Sequence, residues 1–187
     1  MRVLLSPHND DESLFGAYTI MREKLLVIIV TDSNLQEGVT AKERREETIR
    51  ACKILGVPVE FLGLEDGSLR EQDLIRELES LNTKHWEHVY APAIQSGHDD
   101  HDVVGRVAST LFSSTRYYST YTKDNYDPFG QYPIIPTQAE INLKNDALAC
   151  YESQLQIDGV RVNHFEMVQG KPEYLNDTPY SWRTSDA

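Results

Sequence analysis

The sequence predicts an α/β protein with a mostly parallel sheet and helices on both of its faces. Through the first two thirds of the chain, short apolar runs alternate with polar segments in which apolar residues recur every three or four positions. The run LLVIIVTD at 25–32 is continuous and rich in β-branched residues, which is typical of a strand buried on both faces. Together these observations indicate a βα repeat, the arrangement that builds a covered parallel sheet.

Each predicted element has a local signal. The helix at 40–56 has the clearest bounds, because Thr40 can cap its start, Glu43 lies three residues on as in a capping box, and Gly56 can end it. The predicted strands are RVLLS (2–6), LLVIIVTD (25–32), VPVEFLGL (57–64), HVYAPA (88–93), RYYSTYT (116–122) and a late VNHFEMV (162–168). The predicted helices cover 12–23, 40–56, 72–81, 101–112 and 138–154. Residues 123–137 are rich in Pro, Asn, Asp and Gly and predict a long loop.

Composition narrows the class of protein and the kind of partner. With 187 residues, 40% of them hydrophobic, we expect one domain spanning 1–187, in which residues 170–187 form a loosely held tail. The balance of 18 Lys and Arg against 30 Asp and Glu gives a net charge of -12, which argues against nucleic acid and anionic membranes as partners. Two distant cysteines and no signal-peptide or membrane-span pattern lead us to expect a cytoplasmic protein.

Polar clusters follow the first and fourth predicted strands. HNDDE occupies 8–12, and GHDDHD occupies 97–102 with its two histidines three residues apart at a helix start. Loops at the carboxyl ends of parallel strands share one edge of the sheet, so the two clusters can converge on one ion. Histidine with carboxylate is the ligand chemistry of Zn²⁺ or another borderline divalent metal, and the remaining carboxylates can accept a proton or orient the imidazoles.

Helix capping is the alternative explanation for each cluster. Acidic residues are stabilised at helix N-termini by the dipole and the free N–H groups, so either cluster alone is explained by capping as well as by metal binding. Capping does not require histidine, however, and both clusters contain it. A nucleotide-binding turn is disfavoured because G-x-G-x-x-G is absent and carboxylates stand where phosphates would bind.

The combination of motifs resembles the PIG-L/LmbE-like deacetylases, which are zinc-dependent enzymes that remove N-acetyl groups from glucosamine-containing compounds. The resemblance extends from Val3 to Gln154 and departs from the family at Asn9, where proline is common; asparagine relaxes the φ restraint but removes no ligand. The matching segments are PHNDDE (7–12), RREE (44–47), LGLEDGSL (62–69), HDDH (98–101) and KNDALACYESQ (144–154).

The resemblance implies a Rossmann-like fold and specific roles at the site. His8, Asp11 and His101 would bind Zn²⁺, or another divalent metal such as Fe²⁺. Asp10 would be the general base, and His98 would assist the tetrahedral oxyanion. Arg44 corresponds to an arginine that faces the substrate, although it is equally well placed to pair with Glu47. Asp66 would bind a sugar hydroxyl or simply form its turn.

We therefore expect a metal-dependent hydrolase that removes the N-acetyl group from an N-acetylglucosamine-type sugar or glycoconjugate. The alternatives are an amidase of the same chemistry acting on another N-acyl small molecule, and a non-catalytic metal-binding module. The chain is shorter than many family members, so substrate-binding elements are either missing or supplied by another subunit; the second alternative implies a homo-oligomer. The Tyr-rich segment 117–132 has two interpretations, a wall or lid at the site or ordinary packing.

Overall fold

The computed structural model describes residues 1–33, 38–81, 83–121, 130–155 and 168–180. The strands in these ranges are β1 (Arg2–Ser6), β2 (Leu26–Asp32), β3 (Val59–Glu65), β4 (His88–Pro92), β5 (Thr115–Tyr118), β6 (Tyr132–Ile134) and β7 (Glu173–Asn176). The helices are α1 (Asp11–Phe15), α2 (Ala17–Glu23), α3 (Ala41–Leu55), α4 (Glu71–Ser80), α5 (Asp99–Leu111), α6 (Gln138–Leu148) and α7 (Glu152–Leu155), with a 3₁₀ turn at Thr83–His85.

The strands form one sheet in the order β3-β2-β1-β4-β5-β7-β6. The five strands from β3 to β5 are parallel, and β7 and β6 extend the sheet with antiparallel pairings. The predicted α/β class with a mostly parallel sheet is confirmed.

Helices cover both faces of the sheet because successive strand residues point in opposite directions. Leu4, Val27 and Ile29 pack into one core together with apolar side chains of α1, α2, α3 and α6. Leu5 and Ile28 belong to the core on the other face, which α4 and α5 complete. The apolar run of β2 is therefore buried on both sides, as its composition predicts.

Two helix boundaries show how local chemistry shapes the chain. Thr40 caps α3 by accepting the Glu43 backbone N–H at 3.1 Å, and Gly56 ends the helix in the left-handed conformation, as predicted. The helix predicted over 12–23 is instead two helices separated at Gly16. A Cβ at Gly16 would lie 2.7 Å from Leu4 Cδ1, so glycine at this position lets the junction of α1 and α2 lie close to β1.

The end of the sheet differs from the sequence prediction. The segment 123–137, predicted as a loop throughout, contains β6, and the tail predicted to be loosely held from 170 contains β7. Glu173, Leu175 and Asn176 are buried because β7 lies between β5 and β6. Strands of three or four residues are too short to show a clear alternation in the sequence. The late strand predicted at 162–168 falls outside the described residues except for Val168.

The strand order determines where a ligand site can form. The chain runs from β1 outward to β2 and β3, then returns to β4 on the other side of β1. The loops after β1 and β4 therefore leave neighbouring strands in opposite directions, and this switch point leaves a crevice at the carboxyl edge of the sheet. Among the described helices, none has the length and apolar character needed to cross a membrane.

Candidate metal centre and active site

The two polar motifs meet at this switch point. The first occupies the turn from β1 into α1, and the second begins at the N-terminus of α5, after β4. Parallel pairing of β1 with β4 brings the turns together although 93 residues separate His8 from His101. The predicted convergence is observed.

Three side-chain atoms face a common point. His8 Nδ1 lies 3.0 Å from Asp11 Oδ2 and 3.2 Å from His101 Nε2, and the third side of the triangle, from His101 Nε2 to Asp11 Oδ2, is 3.0 Å. A tetrahedral ion with ligands at about 2.0–2.1 Å separates its ligand atoms by roughly 3.3 Å. The triangle of His8, Asp11 and His101 therefore fits a zinc-like cation, and its two nitrogens and one oxygen suit such an ion.

The electrostatics of this triangle favour a cation. Burial of Asp11 opposes its ionisation, but the neighbouring His101 and His8 outweigh burial and hold the Asp11 pKa below its ordinary value. Burial of His8 opposes its protonation, yet hydrogen bonds to Asp100 and Asp11 raise the His8 pKa well above 6.5. A position that stabilises positive charge on His8 is also one that attracts a metal ion.

Asp10 lies beside the triangle but is not part of it. Its carboxylate Oδ2 accepts a hydrogen bond from Arg44 Nη2 at 3.0 Å, and its backbone has φ 128° and ψ -25°. L-residues rarely adopt positive φ, and such strain is concentrated at functional sites. Burial raises the Asp10 pKa to about 7; Arg44 opposes this shift, and the carboxylates of Asp11 and Glu12 add to it.

His98 has one ring nitrogen engaged by its own helix. The Asp100 backbone N–H donates to His98 Nδ1 at 3.2 Å, so His98 caps α5. Its ring centroid is 4.5 Å from that of His8, which places His98 at the rim of the triangle. Burial and the neighbouring His8 and His101 lower the His98 pKa, so the ring is neutral with its proton on Nε2.

Asp100 is a site residue that the sequence pattern did not single out. It is 1% exposed, and its Oδ2 lies 3.2 Å from His8 Nε2 while also accepting the Gly67 backbone N–H at 2.7 Å. Asp100 therefore orients the His8 ring and holds the turn after β3 against the site. The neighbouring Asp99 is exposed, and the HDDH motif does not distinguish the two aspartates before the helix is placed.

The structure also places the two predicted substrate-binding residues. Arg44 is 2% exposed, and its guanidinium contacts Asp10, Glu47 and the Asn9 carbonyl oxygen. These contacts favour the alternative in which Arg44 is an ion-pair residue, and its substrate-binding role stays a prediction. Asp66 Oδ1 lies 3.2 Å from His8 Nε2, which brings Asp66 to the site; its contact with a sugar hydroxyl stays a prediction.

Within the Tyr-rich segment, some tyrosines pack inside the fold and one lies next to the site. Tyr117 and Tyr118 are buried in the sheet, whereas the Tyr121 ring centroid lies 5.2 Å from that of His101. The segment 122–129 falls outside the described residues. Of the described tyrosines in this segment, Tyr121 is thus the one that borders the metal-ligand candidates.

The fold and the site define an α/β protein with a buried His/Asp cluster at a sheet switch point. Residues 3–112 match the family model described as PIG-L: GlcNAc-PI de-N-acetylase, and this chain belongs to that family. The match spans both site motifs and covers more than half of the chain.

Several solved structures share the fold. The N,N'-diacetylchitobiose deacetylase from Pyrococcus horikoshii is 19% identical with TM-score 0.69, over 92% of this chain and 82% of that one. The A40926 pseudoaglycone deacetylase Dbv21 is 19% identical with TM-score 0.72, over 92% and 94%. GalB, the 4-carboxy-2-hydroxymuconate hydratase from Pseudomonas putida KT2440, is 15% identical with TM-score 0.67, over 100% and 98%. No curated protein shows a significant sequence match to this chain.

Proposed function

We propose that this protein is a divalent-metal-dependent N-deacetylase that hydrolyses the acetamide of an N-acetylated amino sugar or glycoconjugate. One observation carries the proposal: Asp10 lies beside the three-atom ligand set without belonging to it, and Arg44 holds its carboxylate there. A carboxylate in that position can exchange a proton near neutral pH. Membership of the family, and the deacetylase activity in the names of two structural relatives, support the choice of reaction.

His8, Asp11 and His101 would hold the metal. When bound there, a divalent cation supplies Lewis-acid chemistry, polarising the acyl carbonyl and lowering the pKa of adjacent water. Asp10 would take the proton from the attacking water and later deliver it to the departing amine. The Arg44 guanidinium keeps the Asp10 side chain in place and limits the rise in its pKa.

His98 would stabilise the negative charge that develops on the carbonyl oxygen. Because His98 Nδ1 accepts the Asp100 N–H, the neutral ring carries its proton on Nε2 and can donate it in a hydrogen bond. Asp66 would accept a hydrogen bond from a sugar hydroxyl, and its position 3.2 Å from His8 Nε2 supports this role.

The experiment is a substrate panel with metal-loaded protein. It contains N-acetylglucosamine, N,N'-diacetylchitobiose, simple acyl amides and 4-carboxy-2-hydroxymuconate, with acetate release and hydration measured separately. We expect acetate release from N-acetyl sugars. Turnover of the acyl amides alone would indicate that the substrate is another N-acyl compound and not an amino sugar. Hydration of 4-carboxy-2-hydroxymuconate without acetate release from any compound would overturn the proposal. Metal uptake without turnover of any compound in the panel would favour the non-catalytic metal-binding module, and no turnover with no metal uptake would exclude a metal-dependent enzyme.

A matched pair of variants tests the role of Asp10. Asp10→Asn is expected to lower kcat about 10²–10⁴-fold with metal content unchanged, since general base catalysis is worth that much. Asp99→Asn makes the same chemical change on an exposed aspartate within the second motif and should retain activity. Full activity in Asp10→Asn would refute the proposed role.

A further inference from the structure

Asn9 is a fully buried polar residue in the turn that carries the proposed base. Its exposed fraction is 0%, and it precedes Asp10, whose backbone lies at φ 128°. Burial of an amide is unfavourable unless its polar atoms are hydrogen-bonded, so the partners of Asn9 indicate what the residue does.

The Asn9 amide connects the turn to two other elements. Its backbone N–H donates to Ser33 Oγ at 3.1 Å, and its Oδ1 accepts the Ser33 backbone N–H at 3.2 Å. Its Nδ2 donates to Thr48 Oγ1 at 2.9 Å, and that hydroxyl donates in turn to the Arg44 carbonyl oxygen at 3.0 Å. Ser33 directly follows β2 and Thr48 lies within α3, so Asn9 joins the turn after β1 to both.

These contacts continue to the proposed base. Arg44 Nη2 contacts both the Asn9 carbonyl oxygen and Asp10 Oδ2, so one guanidinium holds the peptide that precedes Asp10 and the Asp10 carboxylate together. From the other side, the Asp10 backbone N–H donates to Glu12 Oε2 at 3.1 Å. The strained conformation of Asp10 is therefore restrained by Asn9 before it, by Glu12 after it and by Arg44 across it.

A proline at position 9 would restrict the chain through its ring, whereas asparagine has a free φ and needs hydrogen bonds to achieve the same restraint. A proline would also lack the N–H that Ser33 accepts here. In this chain, the buried hydrogen bonds of Asn9 therefore supply the restraint that a proline ring would otherwise give to the turn.

We propose that Asn9 is a positioning residue for Asp10, acting through Ser33 and Thr48 to hold the strained turn in the geometry that directs the Asp10 carboxylate. The proposal rests on the function proposed above. Asn9 is fully buried and is not one of the three metal-ligand candidates, so its role is exerted through Asp10.

The test compares Asn9→Ala with a matched control, Asn176→Ala. Asn176 is another buried asparagine whose Oδ1 accepts a backbone N–H, from Gln131 at 3.2 Å, but it lies in β7. We expect Asn9→Ala to lower kcat about 10–100-fold, as a displacement near 1 Å does, with KM and bound metal unchanged. Asn176→Ala should lose stability with kcat intact. An equal loss of kcat in both variants, or none in Asn9→Ala, would overturn the proposal.

A conservative pair separates positioning from simple loss of stability. Thr48→Ser keeps the hydroxyl that Asn9 donates to and should retain kcat, while the isosteric Thr48→Val should lower it. This pair also covers the case in which Asn9→Ala fails to fold. Equal kcat in the serine and valine variants would contradict the mechanism.

A crystal structure of the same variants provides a readout that does not depend on turnover. We expect the Arg44 Nη2 to Asp10 Oδ2 distance to exceed 3.0 Å and Asp10 φ to leave 128° in Asn9→Ala or Thr48→Val. If the wild-type protein hydrolyses no N-acetyl compound but this geometry changes, the proposed function fails and the positioning role survives. An unchanged Asp10 geometry in both variants would refute the positioning role itself.

Discussion

A buried ion pair joins the late part of the chain to the helices behind the site. Lys144 Nζ in α6 lies 2.9 Å from Glu173 Oε1 in β7, and both side chains are 1% exposed. Lys144 also donates to the Leu14 carbonyl oxygen at 2.7 Å, and Glu173 accepts the Tyr18 backbone N–H at 3.0 Å. The pair thus contacts a carbonyl group of α1 and a backbone N–H of α2, and it connects both helices to β7.

We predict that Glu173→Ala lowers the free energy of unfolding by about 3–5 kcal/mol, because it leaves the Lys144 ammonium buried without its counter-charge. At about 2–4 °C per kcal/mol for a chain of this size, the thermal midpoint should fall by roughly 6–20 °C. The control is Glu71→Ala, which breaks an ion pair to Arg106 of 2.6 Å between side chains that are 48% and 43% exposed. Exposed pairs contribute about 0.2–1 kcal/mol, so the control should shift the midpoint by less than about 4 °C.

The assay is urea unfolding followed by circular dichroism, with the midpoint checked by calorimetry. Burial lowers the Lys144 pKa and Glu173 opposes that shift, so removing Glu173 should lower it further. The unfolded chain then holds the proton more readily than the folded one, and the deficit of Glu173→Ala should shrink as pH rises toward 10.5. Adding Lys144→Met to Glu173→Ala should recover part of the lost free energy of unfolding. A loss below about 1 kcal/mol in Glu173→Ala, or a double variant whose loss equals the sum of the two single losses, would refute the prediction.

Three further predictions concern the metal, a close backbone contact and pH. Zinc at about 1,000 times its Kd should stabilise the wild-type protein by about 4 kcal/mol, seen as a higher thermal midpoint, and His101→Ala should abolish the shift; an equal shift in the variant would contradict the ligand assignment. Gly97→Ala should destabilise the fold, because its Cβ would lie 2.0 Å from the Tyr121 carbonyl oxygen. A urea unfolding curve identical to that of the wild type would contradict this prediction, since the Tyr121 backbone would then move away at no cost. The Arg22 hydrogen bond lowers the Glu140 pKa from 4.5 to about 2, so its contribution, under about 1 kcal/mol, is present above pH 4.5 and lost as pH falls toward 2. Glu140→Gln should remove that part of the pH dependence of stability, and an unchanged profile would exclude it.

Local sequence was sufficient for most of the sheet. The β-branched run of β2 and the capped helix α3 have strong signals within a few residues, and both were confirmed with small shifts at their ends. β6 and β7 were missed, because their stability comes from pairing with each other and with β5 rather than from their own composition. The break at Gly16 was also missed, and the need for glycine at that position comes from the close approach of Leu4, which belongs to another element.

At the site, too, features that depend on neighbouring residues were predicted, and features that depend on packing between distant elements were not. The positions of the two motifs after their strands predicted that the motifs would meet, and the resemblance to the PIG-L/LmbE-like deacetylases selected His8, Asp11 and His101, which the structure brings together. The sequence did not distinguish buried Asp100 from exposed Asp99, which depends on how α5 rotates against the sheet. It also did not decide between substrate and ion-pair roles for Arg44, whose burial depends on α3 packing over the turn after β1.

By itself, the sequence determined the order of the elements from β1 to β5 and the chemistry available at their ends: imidazoles and carboxylates in two short motifs. Periodicity and capping are properties of neighbouring residues, so they can be read along the chain. Tertiary structure alone decided that β1 pairs with β4, that His8, Asp11 and His101 meet within 3.2 Å, and that Asp10 is held apart in a strained turn. Those outcomes depend on contacts between residues far apart in the chain, made only when the whole core packs.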